Sequence, residues 1–311
     1  MKKIADDIII IFFLFAFIFI LEGCKNNPTD GGGVPIRIPT IPPRVVDEMP
    51  SWSPDGNKIA YTYHPQNDTQ LQNGIDQIWL LDLTRMTKTF LTEGLDPVWS
   101  PDGKMIAYVK NNDIHIIDLA TKQITRLTSW SSCFFPSWSP DGKKIAFDAI
   151  TNWPTVPGDS AGIWVMNTKG SKKRLVIKGR SPHYSPDGAQ FVYVGGAGSA
   201  KGTETQIWLA DTSGSNQKQL TNNSISNWDP IWSPNGSFIA WGSSGNKDNA
   251  GIWIMNADGT GEHLLVGKGG HPTWSPDGKK IAFHMVDNSG RYIVLWIINT
   301  DGTGLQQLTQ P

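Results

Sequence analysis

The sequence has little cysteine and little histidine, and each shortage excludes a class of site. Its 311 residues include two cysteines, Cys24 and Cys133, so neither a disulfide framework nor a cysteine-based zinc site is expected. We interpret Cys133 as a small buried apolar residue. The six histidines are scattered, and no pair has the His-x-x-x-His spacing of a helical metal site. The sequence therefore predicts no metal and no cofactor.

No catalytic signature motif lies in the structural context that its chemistry needs. A Gly-x-Ser-x-Gly match at residues 158–162 falls in a variable loop ahead of a predicted strand, not at a strand-to-helix turn, so local support for a serine hydrolase is missing. Residues 195–202 read GGAGSAKG, but Ala200 stands where a phosphate-binding loop requires glycine before the lysine. We therefore expect the chain not to be an enzyme. A sugar lyase or hydrolase site assembled from separate loops stays open as an alternative.

The first residues have the pattern of an export signal. Two lysines precede an apolar run from Ile8 to Leu21, which at 14 residues is shorter than a membrane-spanning helix. The run ends in Leu21-Glu22-Gly23-Cys24, which resembles the lipobox of bacterial lipoproteins. Residues 1–23 are thus predicted to be a signal peptide, with Cys24 as the lipidation site. The alternative is an uncleaved N-terminal anchor with an incidental cysteine.

The chain that would remain after cleavage is neutral. The full sequence has 27 basic and 28 acidic residues, and residues 1–23 contain two lysines and three acidic residues. A neutral surface argues against nucleic acid as the main partner. Residues 24–46 are rich in proline and glycine and are predicted to tether the lipid to the folded domain.

One phrase recurs six times in residues 47–311. It contains a proline, an aromatic residue two positions later, a Ser-Pro-Asp-Gly or Ser-Pro-Asn-Gly turn and a short apolar strand. An Ile-Trp type segment and a segment ending in Leu-Thr follow in most repeats. The aromatic residues lie 39 to 48 residues apart, a spacing typical of four-stranded propeller blades. They are Trp52, Trp99, Trp138, Tyr184, Trp232 and Trp274.

These repeats predict an all-β fold, a six-bladed β-propeller of four-stranded antiparallel blades. The last repeat has its own fourth strand, Leu305 to Thr309, so each blade is expected to be contiguous in sequence. Arg44-Val45-Val46 nevertheless resembles a fourth-strand ending, which could pair where the first and last blades meet, here named the seam. The repeated pattern from Pro50 to Thr309 resembles the WD-like repeats of TolB-type propellers. That resemblance implies envelope or peptidoglycan-associated proteins as partners that dock over the channel mouth.

Strand alternation separates two faces of the predicted propeller. The turns between the first and second strands, and between the third and fourth, lie on one face, here named the turn face. The longer loops and the connections between blades lie on the other, the loop face, where function is expected. Surplus aromatic residues on the loop face predict a partner-binding surface, or alternatively local packing at the blade ends. They are Trp130, Phe134, Trp153 and Trp228.

Titratable residues are expected at the channel mouth on the loop face. Asp96 and Asp229 directly precede the first proline of repeats three blades apart, so they should face each other across the channel. His271 has the same position in the sixth repeat, and His183 follows Pro182. A cation or polar ligand could lie between the carboxylates, or both could simply be solvated at the rim.

The sequence favours a lipid-anchored, non-catalytic scaffold that binds an envelope protein as a monomer. Lys25, rather than aspartate, follows Cys24, which favours the outer membrane with the domain facing the periplasm. The alternative is a glycan-binding or glycan-cleaving propeller that uses the channel mouth.

Overall fold

A computed structural model of the chain describes residues 44–65, 75–150, 161–196, 204–245 and 249–310. The predicted signal peptide, Cys24 and Trp153 lie outside these ranges, as does the predicted tether up to residue 43. Over the described residues, we find no helix of the length and apolar character needed to span a membrane. The regular structure in them consists of β-strands, beginning with β1 (Arg44–Val45).

The strands form six sheets around a central axis, and each blade contains four consecutive strands. The first blade has β2 (Asp47–Trp52), β3 (Lys58–Tyr63), β4 (Gln77–Asp82) and β5 (Thr87–Glu93). The second has β6 (Leu95–Trp99), β7 (Met105–Lys110), β8 (Asp113–Asp118) and β9 (Ile124–Arg126). The third has β10 (Cys133–Trp138), β11 (Lys144–Ala149), β12 (Gly162–Asn167) and β13 (Arg174–Ile177).

The remaining blades repeat this order. The fourth has β14 (Arg180–Tyr184), β15 (Gln190–Gly195), β16 (Gln206–Asp211) and β17 (Lys218–Gln219). The fifth has β18 (Asn227–Trp232), β19 (Phe238–Ser243), β20 (Gly251–Asn256) and β21 (His263–Gly267). The sixth has β22 (Gly269–Trp274), β23 (Lys280–Val286), β24 (Tyr292–Asn299) and β25 (Gln306–Gln307). Sequential strands within a blade pair antiparallel, which confirms the predicted six-bladed propeller.

The seam between the first and last blades differs from the expectation of strictly contiguous blades. Strand β1 pairs in parallel with β24, with Arg44 opposite Tyr292. Strand β25 pairs with the other half of β24, at Trp296 and Ile297. Strand β24 has eight residues and the fourth strand, β25, has two, so the outer edge of β24 has room for both β1 and β25. The contiguous arrangement is therefore wrong at the last blade, and the possible seam pairing of Arg44 and Val45 is what the structure shows.

The turn face consists of repeated hydrogen-bonded turns. In the first blade, the Gly56 amide donates to the carbonyl of Ser53 at 2.9 Å. The Ser53 hydroxyl donates to Asp55 Oδ1 at 2.6 Å and accepts from the Lys58 amide at 2.9 Å. Gly56 has φ +74°, a backbone conformation that favours glycine. The hydrogen bonds of the turn therefore explain why the Ser-Pro-Asp-Gly or Ser-Pro-Asn-Gly turn recurs in every blade.

The core lies between the blades rather than within them. Six apolar clusters each join two neighbouring blades, and one of them closes the ring by packing Ile59 and Tyr61 of the first blade against Ala282 and Leu295 of the last. Cys133 is 0% exposed between the second and third blades, as expected for a small buried residue. Burial raises the pKa of its thiol to about 12, so it stays protonated.

Candidate functional site at the channel mouth

The first strands of the blades surround a central cavity of about 400 Å³. Its wall contains the six repeat prolines toward the loop face and the six turn prolines toward the turn face. Trp52 and its five aromatic equivalents also line it. The cavity is therefore mostly apolar along its length, and the polar groups described below concentrate at the loop-face end, here named the channel mouth.

A β-bulge at each repeat proline shapes the channel mouth. The pairing of first and second strands shifts register there in every blade. The residue before the proline has a left-handed backbone, with φ between 47° and 55°, which non-glycine residues adopt only when the surroundings enforce it. All six of these residues line the cavity: Met49, Asp96, Phe135, Ser181, Asp229 and His271.

The residue two positions before each repeat proline, here named the second inner position, pairs with a residue of the second strand in the same blade. The pairs are Glu48–Thr62, Leu95–Val109, Phe134–Asp148, Arg180–Val194, Trp228–Gly242 and Gly270–His284. Because the blades share one backbone, the repeats act as controls for each other. Valine or glycine occupies the second-strand position in three blades, so the fold does not require the carboxyl of Asp148 or the imidazole of His284 there.

Polar side chains that break the repeat pattern lie close together near the seam between the first and last blades. His271 Nδ1 lies 2.6 Å from Asp229 Oδ2. Glu48, 6% exposed, lies between two histidines, with its Oε1 2.8 Å from His64 Nε2 and its Oε2 3.9 Å from His284 Nδ1. The rings of His271 and His284 are 4.9 Å apart. The side chains of the first, fifth and sixth blades thus form one connected group.

Two carboxyl groups across the channel have pKa values displaced in opposite directions. Burial, followed by the negative charge of Asp229, raises the pKa of Asp96 to about 7. Burial also opposes ionisation of Asp229, but the neighbouring His271 outweighs it and lowers the pKa of Asp229. In the third blade, burial raises the pKa of Asp148 to about 8 against the attraction of Arg180. Divergent pKa values in one cleft are typical of acid–base pairs.

The histidines also divide into charged and neutral groups. Burial favours neutral His271, but Asp229 outweighs burial and raises the pKa of His271 to about 9. Burial and the charge of His271 lower the pKa of His284 to about 3. His183 lies deeper in the cavity, where burial lowers its pKa to about 4. The Nδ1 atoms of His183 and His284 are buried without a hydrogen-bond partner among the described residues.

The aromatic residues predicted to bind a partner separate into two groups. Phe134 and Trp228 occupy the second inner position of their blades, beside the channel mouth, although Phe134 also packs against the apolar cluster between the second and third blades. Trp130 instead packs edge-on against Trp164, with ring centroids 4.8 Å apart, and against Phe147. Trp130 therefore has the arrangement that the packing alternative expects, because its ring covers the apolar cluster between the second and third blades.

Asp96, Asp229 and His271 lie at the mouth, where the sequence predicts them, but three of their partners were not predicted. Asp148 and His284 lie in strand segments that are otherwise mostly apolar, and Glu48 directly precedes the mouth residue Met49 in β2. An alignment of the six repeats on the first proline would have shown Asp148 and His284 at a position where three repeats have valine or glycine, and Glu48 at a position where four repeats have an apolar residue or glycine.

Known proteins match about a third of this chain in sequence. The chain is 32% identical over 114 residues to "Uncharacterized peptidase YuxL" of Bacillus subtilis, covering 34% of this chain and 17% of the relative. It matches "Uncharacterized protein Atu1656" of Agrobacterium fabrum at 30% identity, covering 33% of this chain and 38% of that protein. The chain thus spans well under half the length of either relative.

Solved propellers show the same fold. TolB from Acinetobacter baumannii superposes with a TM-score of 0.68 and 24% identity, over 81% of this chain and 63% of that chain. Oligogalacturonate lyase from Vibrio parahaemolyticus superposes with a TM-score of 0.57 and 17% identity, over 86% of this chain and 78% of the lyase.

The expectation that the chain is not an enzyme is corrected by these findings. One sequence relative carries the name of a peptidase, and propellers of the same fold include a lyase. The lyase superposes with this chain over 78% of its own length, so a propeller of this fold makes up most of that enzyme. The model of the family described as "TolB beta propeller domain" matches residues 44–149 and 82–311, and the chain therefore belongs to the TolB β-propeller family.

Proposed function

We propose that the chain binds a glycan at the channel mouth and that Asp96 acts there as a proton donor. The observation that carries this proposal is the convergence of buried and half-buried polar side chains from all six blades around one end of a mostly apolar cavity. They are Glu48, Asp96, Asp148, Arg180, Asp229, His271 and His284.

The energetic cost of this arrangement supports a role in ligand binding. Burying an ionisable group costs several kcal/mol unless it is well paired, and Asp148 Oδ1 has no hydrogen-bond partner among the described residues. Other blades hold valine or glycine at the same position, so an apolar alternative exists within the chain. Such a costly set of groups in a cleft is expected where they act on a ligand.

The chemistry of the mouth fits a saccharide. Sugars present both hydroxyl groups and apolar ring faces, and the mouth combines carboxyl groups with the half-buried aromatic rings of Phe134 and Trp228. The cavity, at about 400 Å³, lies within the range of small-molecule sites. Asp96 retains a proton near neutral pH, because its pKa is raised to about 7, while Asp229 is ionised. A lyase acting on oligogalacturonate has the same fold.

A glycan-binding screen followed by calorimetry tests the proposal. Asp96→Asn and Asp148→Asn keep the shape of the side chains and remove the titratable proton, so we expect each to weaken binding or turnover at least tenfold. Asp301→Asn makes the same chemical change on the turn face and retains an acceptor for Thr303, so it should leave binding unchanged. Binding of a glycan that survives both mouth substitutions would overturn the assignment of the site.

A second candidate function is docking of an envelope protein over the same mouth. It is supported by membership of the TolB propeller family and by the aromatic rings of Phe134 and Trp228 beside the channel. We propose further that lipid on Cys24 holds the monomeric propeller at the outer membrane, facing the periplasm. Capture of a peptidoglycan-associated protein from envelope extract by the wild type, lost with Trp228→Ala and kept with Asp301→Asn, would favour this function over the glycan.

A further inference from the structure

We propose that Glu48, His271 and His284 bind a divalent transition-metal ion such as Zn²⁺. Each residue offers one ligand atom, and these atoms lie within 4.8 Å of one another. A carboxylate and two imidazoles form a common set of protein ligands for zinc, with further coordination positions left for water or substrate. The sequence alone predicts no metal, because the three residues lie far apart along the chain.

The ligands are attached to rigid parts of the fold. Glu48 lies on β2, His271 on β22 and His284 on β23, so all three belong to paired strands at the seam. His271 is also constrained by the bulge at Pro272, where its φ is 50°. A site on strands of two packed blades retains its geometry without a bound ligand, which lowers the cost of binding.

Second contacts orient two of the three ligands. Asp229 engages Nδ1 of His271, which leaves Nε2 available to a metal. His64 contacts Glu48 Oε1 at 2.8 Å and Asp76 at 2.7 Å, so Glu48 is held in place while Oε2 faces His284. Carboxylates behind histidine ligands are a regular feature of metal sites, where they fix the ring orientation.

His284 and its strand partner Gly270 both differ from the residues at the same positions of the other blades. The five other blades have a side chain at the position of Gly270, whereas here a Cβ would lie 2.6 Å from His284 Nε2. The missing side chain therefore provides the space that the imidazole occupies. His284 Nδ1 is buried without a hydrogen-bond partner among the described residues, which is costly unless a ligand engages the ring.

Zinc titration of the full chain tests the site, with a chromophoric chelator as competitor and Mg²⁺ as the comparison ion. We expect the wild type to bind one equivalent of Zn²⁺ and no Mg²⁺, because magnesium prefers oxygen ligands. His284→Ala should abolish this binding. Asp229→Asn should weaken it by about 10-fold to 100-fold, since Asp229 only orients His271. The matched control is His263→Ala, because His263 is exposed and outside the cluster.

The outcomes separate the metal site from misfolding and from the proposed function. Gly270→Ala serves as a second variant that keeps all three ligands but displaces His284, and it should weaken Zn²⁺ binding while melting temperatures verify folding. Failure of the wild type to bind Zn²⁺, or equal binding by folded His284→Ala, would refute the site. Because the probe is the metal alone, neither result bears on glycan binding.

Discussion

Replacement of Asp148 by asparagine should change how the stability of the propeller depends on pH. Asp148 lies on β11, is 1% exposed, and has one carboxylate oxygen without a hydrogen-bond partner among the described residues. Its ordinary pKa of 3.8 is raised to about 8, mainly by burial. The folded chain therefore keeps a proton on Asp148 across a pH range in which the unfolded chain has released it.

The sign and size of the effect follow from this difference in bound protons. Between the two pKa values the folded state binds more protons, so the contribution of Asp148 to the free energy of unfolding falls as pH rises. Each pH unit in that window corresponds to at most about 1.4 kcal/mol. Asparagine stays neutral throughout. The stability of Asp148→Asn relative to wild type should therefore rise by up to about 3 kcal/mol between pH 5 and pH 7.

Urea unfolding of both proteins at pH 5, 6 and 7 measures this difference directly. Asp141→Asn is the control, because Asp141 lies in an exposed turn where the Ser139 hydroxyl lowers its pKa. The contribution of Asp141 is present above its unfolded pKa and is lost only as pH falls, so its variant should show a constant difference from pH 5 to 7. A constant difference for Asp148→Asn as well would refute the reasoning.

Four further substitutions test the fold and the anchor. Trp130→Ala should lower the free energy of unfolding by about 2 kcal/mol, because its ring packs on Trp164; a change under about 0.5 kcal/mol in urea would contradict this. Gly94→Ala should cost about 2 kcal/mol or more, since φ is +140° and a Cβ would lie 2.7 Å from the Val109 carbonyl. Gly142→Ala, with open space around it, should cost less in the same assay. Cys24→Ala should abolish uptake of labelled fatty acid in a lipoprotein-competent host, and equal labelling of wild type and variant would disprove the anchor.

The fold could be predicted from the sequence because most strands and turns carry local signals. The Ser-Pro-Asp-Gly turn needs only its own residues, and its hydrogen bonds appear as expected. Asp96 and Asp229 could be located for the same reason, since their position relative to the repeat proline is fixed. Glu48, which directly precedes the mouth residue Met49, could not be located in this way. Simple alternation sends consecutive strand residues to opposite faces, and the bulge breaks that alternation.

The partners of His284 and Trp130 depend on contacts that no single repeat encodes. His284 occupies space released by Gly270, on the neighbouring strand, and approaches Glu48 from another blade. Trp130 follows the second blade but packs against Trp164 of the third. The contact of His284 with Glu48 follows from ring closure, which brings the first and last blades together, whereas that of Trp130 with Trp164 follows from the packing of two consecutive blades.

The bulge at each repeat proline has a consequence for how such a protein can change over time. Six residues adopt the same left-handed backbone, although they include methionine, phenylalanine, serine, histidine and aspartate. The backbone there is therefore indifferent to the side chain that it displays. A single codon change at any of these sites alters the chemistry of the mouth and leaves the blade intact. New specificities can arise one blade at a time on an unchanged backbone frame.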